Sequence, residues 1–236
     1  MENLTHVRNS RRDFLVRGSA LLGAAALAGS AGILGCGPKE DKVPVLPPEK
    51  VMRDHGVLQR LLLAFEEMAG RLKYDRDVPP GVLTASLELG RSFVQDHHEK
   101  LEEELLFPHL EKVEAFASLV KVLREQHQAG RQVLGLVKGQ GTPEGLGRLA
   151  GRVQVGAYLH LFARMYRPHT AREDAGLFPV LRLVTSPQEF IALGKKWQAQ
   201  EEARFGKGGY EKILELVAGL EKELGIADIA QYTPKV

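Results

Sequence analysis

The chain has 236 residues, of which 44% are hydrophobic, 26% charged and 6% aromatic, with a formal charge of +2. This is a globular composition with enough chain for one sizeable core, and a single cysteine excludes a disulfide framework, a paired-cysteine redox motif, a zinc ribbon and an iron–sulfur cluster. The charge excess comes from Arg8, Arg11, Arg12 and Arg17 against Glu2 and Asp13; beyond residue 35 there are 28 basic and 28 acidic residues, so nothing electrostatic points to a nucleic-acid partner.

Residues 1–36 read as an export signal. Arg11-Arg12 precedes 18 uncharged residues, Gly18 to Gly35, rich in Ala, Gly and Leu. That pattern points to the twin-arginine route, whereas so much Ala and Gly over so short a stretch is marginal for a membrane span. The run ends Ile33-Leu34-Gly35-Cys36, which predicts lipidation of Cys36, with a plain cleaved signal as the alternative because Leu34 is bulky. Residues 37–48 hold four prolines and read as a stiff linker that would hold a domain off a membrane. The expected location is the periplasm or cell envelope, with a lipid anchor. Twin-arginine substrates cross folded, commonly with a cofactor in place, so the signal favours a metal or cofactor protein.

From residue 49 to 184 the pattern is helical. Val51, Met52, His55, Leu58 and Leu62 predict a first helix at about 49–72. Leu87, Val94, His98, Leu101 and Leu105 predict a second at about 80–112, opened by Pro79-Pro80. Val120, Leu123, His127 and Leu134 mark a third, ending at Gly139, and Phe162, Met165, His169 and Leu177 a fourth, ending near Thr185. Ser186-Pro187-Gln188-Glu189 is a capping box that opens a C-terminal extension over 185–225; a further helix follows Gly206–Gly209, and 226–236 is a tail. The expected fold is all-α: an up-down-up-down four-helix bundle with a C-terminal helical pair.

His55, His98, His127 and His169 each lie on the apolar stripe of a different predicted helix. Four buried imidazoles need four partners for their polar nitrogens, so a shared role explains them better than four separate ones. Glu102 and Glu173 follow His98 and His169 by four residues, about 40° around a helix, so each pair projects one imidazole and one carboxylate into the same space. Imidazole plus carboxylate suits iron, manganese or zinc, and two carboxylates with two histidines per metal describe a dinuclear centre better than a mononuclear one. In the first hairpin His55 and His98 fall at one depth. In the second, His169 is further from the loop than His127, so either the fourth helix starts late or the glycine-rich 139–147 stretch folds back. His160 should face away, His109 should lie too far along the axis, and Glu66 too far down the first helix. His97 and Glu103 are placed in solvent or just outside the ligands, with His97 a substitute for His98 if the register slips by one. Asp174 is a weaker rival to Glu173, and Pro168 either shapes the site or is a tolerated kink.

Asp54-His55, His98-x-x-x-Glu102 running to Leu106-Phe107-Pro108, Gln126-His127, and His169-x-x-x-Glu173 running to Leu177-Phe178-Pro179 resemble the hemerythrin HHE cation-binding domains over about 49–184. Residues 201–210 resemble the helical tail of bacterial members. The resemblance implies two iron ions, oxo- or hydroxo-bridged, held by His55, His98, Glu102, His127, His169 and Glu173, with both glutamates bridging. Oxygen carriers of the family have a further histidine where this chain has Arg131. That departure opens a coordination position and suits redox chemistry with peroxide, oxygen or nitric oxide. Tyr166, one turn before His169, is expected either as a replacement ligand or neighbour of the metal, or simply as a core residue. The expected function is binding or response to oxygen or another small oxidant. The alternatives on the same site are a di-iron redox enzyme with an unknown electron donor and an iron-handling protein.

Overall fold

A computed structural model of the chain describes residues 46–236, whose regular structure is all helix, with no strand among the described residues. The predicted signal, Cys36 and linker residues 37–45 lie outside the described residues.

Helix α1 spans Pro47–Lys73, two residues earlier than the periodicity suggests. Proline is preorganised for a first helical turn, and Glu49 accepts from the Leu46 N–H at 3.0 Å, so the turn forms before the apolar stripe begins. The second helical stretch is not the uniform helix expected over 80–112. Helix α2, Pro80–Leu89, passes into π-helical segments Gly90–Glu99 and Glu102–Leu106 and then into α3, Phe107–Leu110. Helix α4 covers Glu114–Gln140 and α5 is a short turn, Pro143–Leu146, capped by the Thr142 hydroxyl. Helix α6, Leu149–Arg172, continues through a π-helical segment, Glu173–Leu177, into α7, Phe178–Val184.

The π segments at Glu102 and Glu173 each stop just before a Phe-Pro pair. Proline has no N–H for the usual bond to the carbonyl four residues back, and its ring collides with that carbonyl. Widening the preceding turn relieves both problems without ending the helix. Pro168 lies inside α6, which runs through it.

The depth mismatch of the second hairpin is taken up by residues 141–148. Turn α5 folds against the first turn of α6, with the Gly145 carbonyl where a Cβ on residue 151 would have to sit, so only glycine fits there.

Two apolar clusters make up the core. One includes Leu58, Phe65, Val94, Leu134, Phe162 and Tyr166; the other includes Val51, Leu101, Leu123, Phe178 and Trp197. Along each of the four long stretches the histidine falls where the chain passes from one cluster to the other. The polar site is therefore sandwiched between two dry layers, where an unpaired charge is costly.

The C-terminal pair is part of this packing. Helix α8, Pro187–Phe205, opens with the capping box expected at Ser186 and Glu189, and buries Phe190, Leu193 and Trp197 in the second cluster. Gly206 and Gly208, with φ of 78° and 69°, turn the chain into α9, Gly209–Glu223, which buries Ile213, Val217 and Leu220 in the first. Arg60 forms a two-pronged pair with Glu221, and Arg71 donates to the Leu224 carbonyl at 2.6 Å. No helix among the described residues is long and apolar enough to cross a membrane.

Candidate metal centre

The six residues singled out by spacing converge in one place. His55 comes from α1, His98 from the first π segment, Glu102 from the start of the second, His127 from α4, His169 from the end of α6, and Glu173 from the start of the third π segment. All six are buried. Glu102 stands between two halves of the cluster. Its Oε1 is 3.5 Å from His98 Nε2 and 3.7 Å from His55 Nε2, while its Oε2 is 3.5 Å from His127 Nε2. Glu173 Oε2 lies 3.3 Å from His55 Nε2 and 3.2 Å from His169 Nε2, and the Nε2 atoms of His127 and His169 are 3.2 Å apart. Two groups of donor atoms result, one from His55, His98 and Glu102, the other from Glu102, His127, His169 and Glu173.

The outward-facing ring nitrogens explain why all four Nε2 atoms point inward. His55 Nδ1 is 2.8 Å from Asp174 Oδ1, His127 Nδ1 2.8 Å from Glu103 Oε1, and His169 Nδ1 2.9 Å from Gln126 Oε1. An acceptor at Nδ1 keeps the proton there and leaves the Nε2 lone pair free for a cation. His98 differs: its Nδ1 faces Asp54 Oδ2 at 3.6 Å, beyond hydrogen-bond range.

The inner atoms lack partners. Both oxygens of Glu102, both of Glu173 and His55 Nε2 are buried with no hydrogen-bond partner among the described residues. Burial and the neighbouring Glu173 charge push the Glu102 carboxyl well up. Burial pushes Glu173 the same way, but His169 and His55 outweigh it and hold that carboxyl well below the usual range. Burial also disfavours charge on His55, yet the acceptors Asp174, Glu102 and Glu173 together raise it well above an ordinary histidine. His98 and His127 are pushed down mainly by burial, so they are neutral donors. Without a cation the cluster therefore shares a few protons among groups held too close to ionise together. A divalent cation would satisfy the orphaned oxygens and ring nitrogens at once, so the residues fit a metal.

The residues around the ligands depart from the sequence reading in several places. Arg131 is partly exposed and reaches inward, 2.8 Å from Glu103 Oε1 and 3.1 Å from Glu99 Oε2. Tyr166 is buried and donates to Glu99 Oε1 at 2.5 Å, so its hydroxyl is committed to a carboxylate. It sits against α4 at Gly130, where a Cβ would come within 2.9 Å of its ring. His97 is neither solvent-exposed nor a substitute for His98: it is buried against Trp197 and Phe205 of α8, at ring separations of 6.2 and 5.0 Å. Asp174 is not a rival to Glu173, since it holds the far side of His55. Glu103 takes the position just outside the ligands, on His127, rather than solvent. His160 is exposed, as expected, and Glu66 pairs with Arg167 on the surface.

Glu99 was not singled out from sequence, and Asp54 only as part of the Asp54-His55 motif, with no role of its own. Burial pushes Glu99 up to about 8 despite the Tyr166 bond and the Arg131 charge. The signal available for Glu99 was its place between His98 and Lys100 one turn before Glu103. An ideal helix turns that position away from His98, and the π geometry with the α4 neighbour buries it.

A family model for the hemerythrin HHE cation-binding domain matches residues 46–181. An uncharacterised protein of Mycobacterium bovis is 39% identical over 195 residues, covering 83% of this chain and 76% of the relative. Uncharacterised proteins of two Mycobacterium tuberculosis strains match with the same identity and coverage. No solved structure matches. The HHE match takes in every one of the six converging residues and more than half of the chain, and the chain belongs to the hemerythrin HHE cation-binding domain family.

Proposed function

We propose that this is an exported hemerythrin-like protein whose up-down-up-down four-helix bundle holds two iron ions and binds or responds to oxygen or a related small oxidant. The observation that carries the reading is Glu102, whose two oxygens face separate histidine groups, His55 with His98 and His127 with His169. One carboxylate so placed serves two cations better than one. Glu173, between His55 and His169, supports the same division. Bound iron would supply reversible redox chemistry and open positions for a small ligand. The chain's own residues do the rest: the Nδ1 partners of His55, His127 and His169 fix those imidazoles, and the apolar layers exclude bulk water.

The export reading rests on the paired arginines and apolar run, and places the protein in the periplasm or cell envelope, tethered through Cys36 when that residue is lipidated. The observation favouring a redox enzyme over a carrier is Arg131, which fills the carriers' fifth-histidine position and is engaged by two carboxylates. Turnover of peroxide or nitric oxide with an electron donor separates the two readings. Glu102→Ala tests the dinuclear arrangement. Ferrous titration of the full chain under nitrogen should give two irons per chain, and the variant should hold no more than one. Two irons in both proteins would remove Glu102 from the bridging role.

A further inference from the structure

Three of the four converging histidines have an oxygen within 2.9 Å of Nδ1, and the fourth does not. Around that fourth ring, His98, is a buried polar group in which the expected bonds are open. Asp54 Oδ1 and Oδ2, His97 Nε2, His98 Nδ1 and Trp197 Nε1 all lack a hydrogen-bond partner among the described residues. Asp54 and Trp197 are essentially inaccessible, so bulk water does not satisfy them. Asp54 Oδ2 lies 3.6 Å from His98 Nδ1 and 4.0 Å from His97 Nε2. The Trp197 ring stands edge-on to both imidazoles, 6.2 Å from each.

We infer that Asp54 is the positioning residue for His98, its unpaired carboxylate facing Nδ1–H across 3.6 Å, and that Trp197 of α8, whose indole N–H is also unpaired, closes the same buried group. The C-terminal extension thereby helps to shape the metal site. This rests on the metal-binding reading above. An indole N–H can only donate and a carboxylate can only accept, Trp197 and Asp54 border the same two imidazoles, and His98 must carry its proton on Nδ1 to offer Nε2 to a cation. His97 competes for the same carboxylate but is the more distant of the two rings. A purely structural role for Asp54 accounts poorly for a carboxylate buried without a hydrogen-bond partner, because a leucine would pack there without the desolvation cost.

The test separates an acceptor role from packing. The full chain, metal-free and with its histidines labelled with nitrogen-15, is compared as wild type, Asp54→Leu, Asp54→Asn and Trp197→Phe, with His98 assigned by difference against His98→Gln. In the wild type His98 should be the Nδ1–H tautomer. Asp54→Leu should shift it towards the Nε2–H form, Asp54→Asn should restore the wild-type tautomer through its amide oxygen, and Trp197→Phe should cause an intermediate shift while keeping the ring packing. Cobalt(II) titration should show binding weakened by ~10-fold or more in Asp54→Leu, the usual effect of losing a partner of a ligating histidine. Identical His98 tautomers in wild type, Asp54→Leu and Trp197→Phe would overturn the inference, as would equal effects of leucine and asparagine. Should Asp54→Leu fail to fold, the Asp54→Asn and Trp197→Phe spectra decide. A wild type with the predicted tautomer that takes up neither cobalt nor iron would leave the positioning intact and contradict the metal-binding reading instead.

Discussion

Arg131 reaches from α4 to two carboxylates, 2.8 Å from Glu103 Oε1 and 3.1 Å from Glu99 Oε2. Its departure from the carriers' histidine was legible; its partners, Glu99 and Glu103, were not, because Glu99 is buried by a neighbouring helix and not by its own pattern. The pair ties Arg131 to His127, whose Nδ1 shares Glu103 Oε1. Arg131→His should therefore shift the absorption of the ferric form towards that of oxygen carriers; an unchanged spectrum at full metal occupancy would contradict a metal-facing position. Glu99 also sets a pH dependence. Its carboxyl rises from 4.5 to about 8 on folding, so between those values the unfolded chain ionises while the folded one keeps its proton. That contribution lowers the stability of the metal-free protein as pH rises from 4.5 to about 8, and Glu99→Gln should flatten the fall in urea midpoints over that range. Glu103 works in the opposite direction: burial opposes its charge, but the His127 and Arg131 bonds hold it at about 2. Its stabilisation is present above 4.5 and lost as pH falls through about 2.

At the scale of elements, the apolar periodicity located the long helices and picked out six inward residues that the structure brings together. It failed where the helix is not an α-helix. Between Gly90 and Glu99 the backbone is π-helical, and three consecutive residues, His97, His98 and Glu99, are all buried. They meet α8, the metal site and Arg131 respectively. At 100° per residue the first of these falls in solvent or just outside the ligands, and the last was not singled out. The proline signals in Leu106-Phe107-Pro108 and Leu177-Phe178-Pro179 were visible, but a proline forecasts a disturbed turn without saying that the turn widens. The capping box, by contrast, is a local device and was fully legible. Ser186 Oγ accepts from the Glu189 N–H at 3.2 Å, and Glu189 accepts from the Ser186 N–H at 2.9 Å. Ser186→Ala should cost about 1 kcal/mol in denaturant unfolding with metal content unchanged.

For the whole molecule, the sequence predicted a four-helix domain with an appended pair, and the packing shows one core to which the pair contributes. Trp197 and Val217 are completely buried, and Phe190, Leu193, Ile213 and Leu220 nearly so. Burying each such side chain contributes about 1.5–3 kcal/mol, an amount comparable in sum to the stability of a domain. Removing residues 185–236 should therefore abolish cooperative thermal unfolding; a truncated chain that melts as sharply as the full one would show the extension to be an accessory. Sequence alone could not show this, because the faces that α8 and α9 cover on α1 and α2 read as ordinary partly polar helix surfaces.

Metal content together with absorption decides whether a pair of iron ions sits between the two apolar layers. The full chain is reconstituted with ferrous iron under nitrogen, freed of excess metal, assayed for iron per chain and then exposed to air. Two irons per chain are expected and, after air, the near-ultraviolet charge-transfer absorption of a bridged ferric pair. Fewer than one iron per chain, or zinc retained in preference to iron, would contradict it.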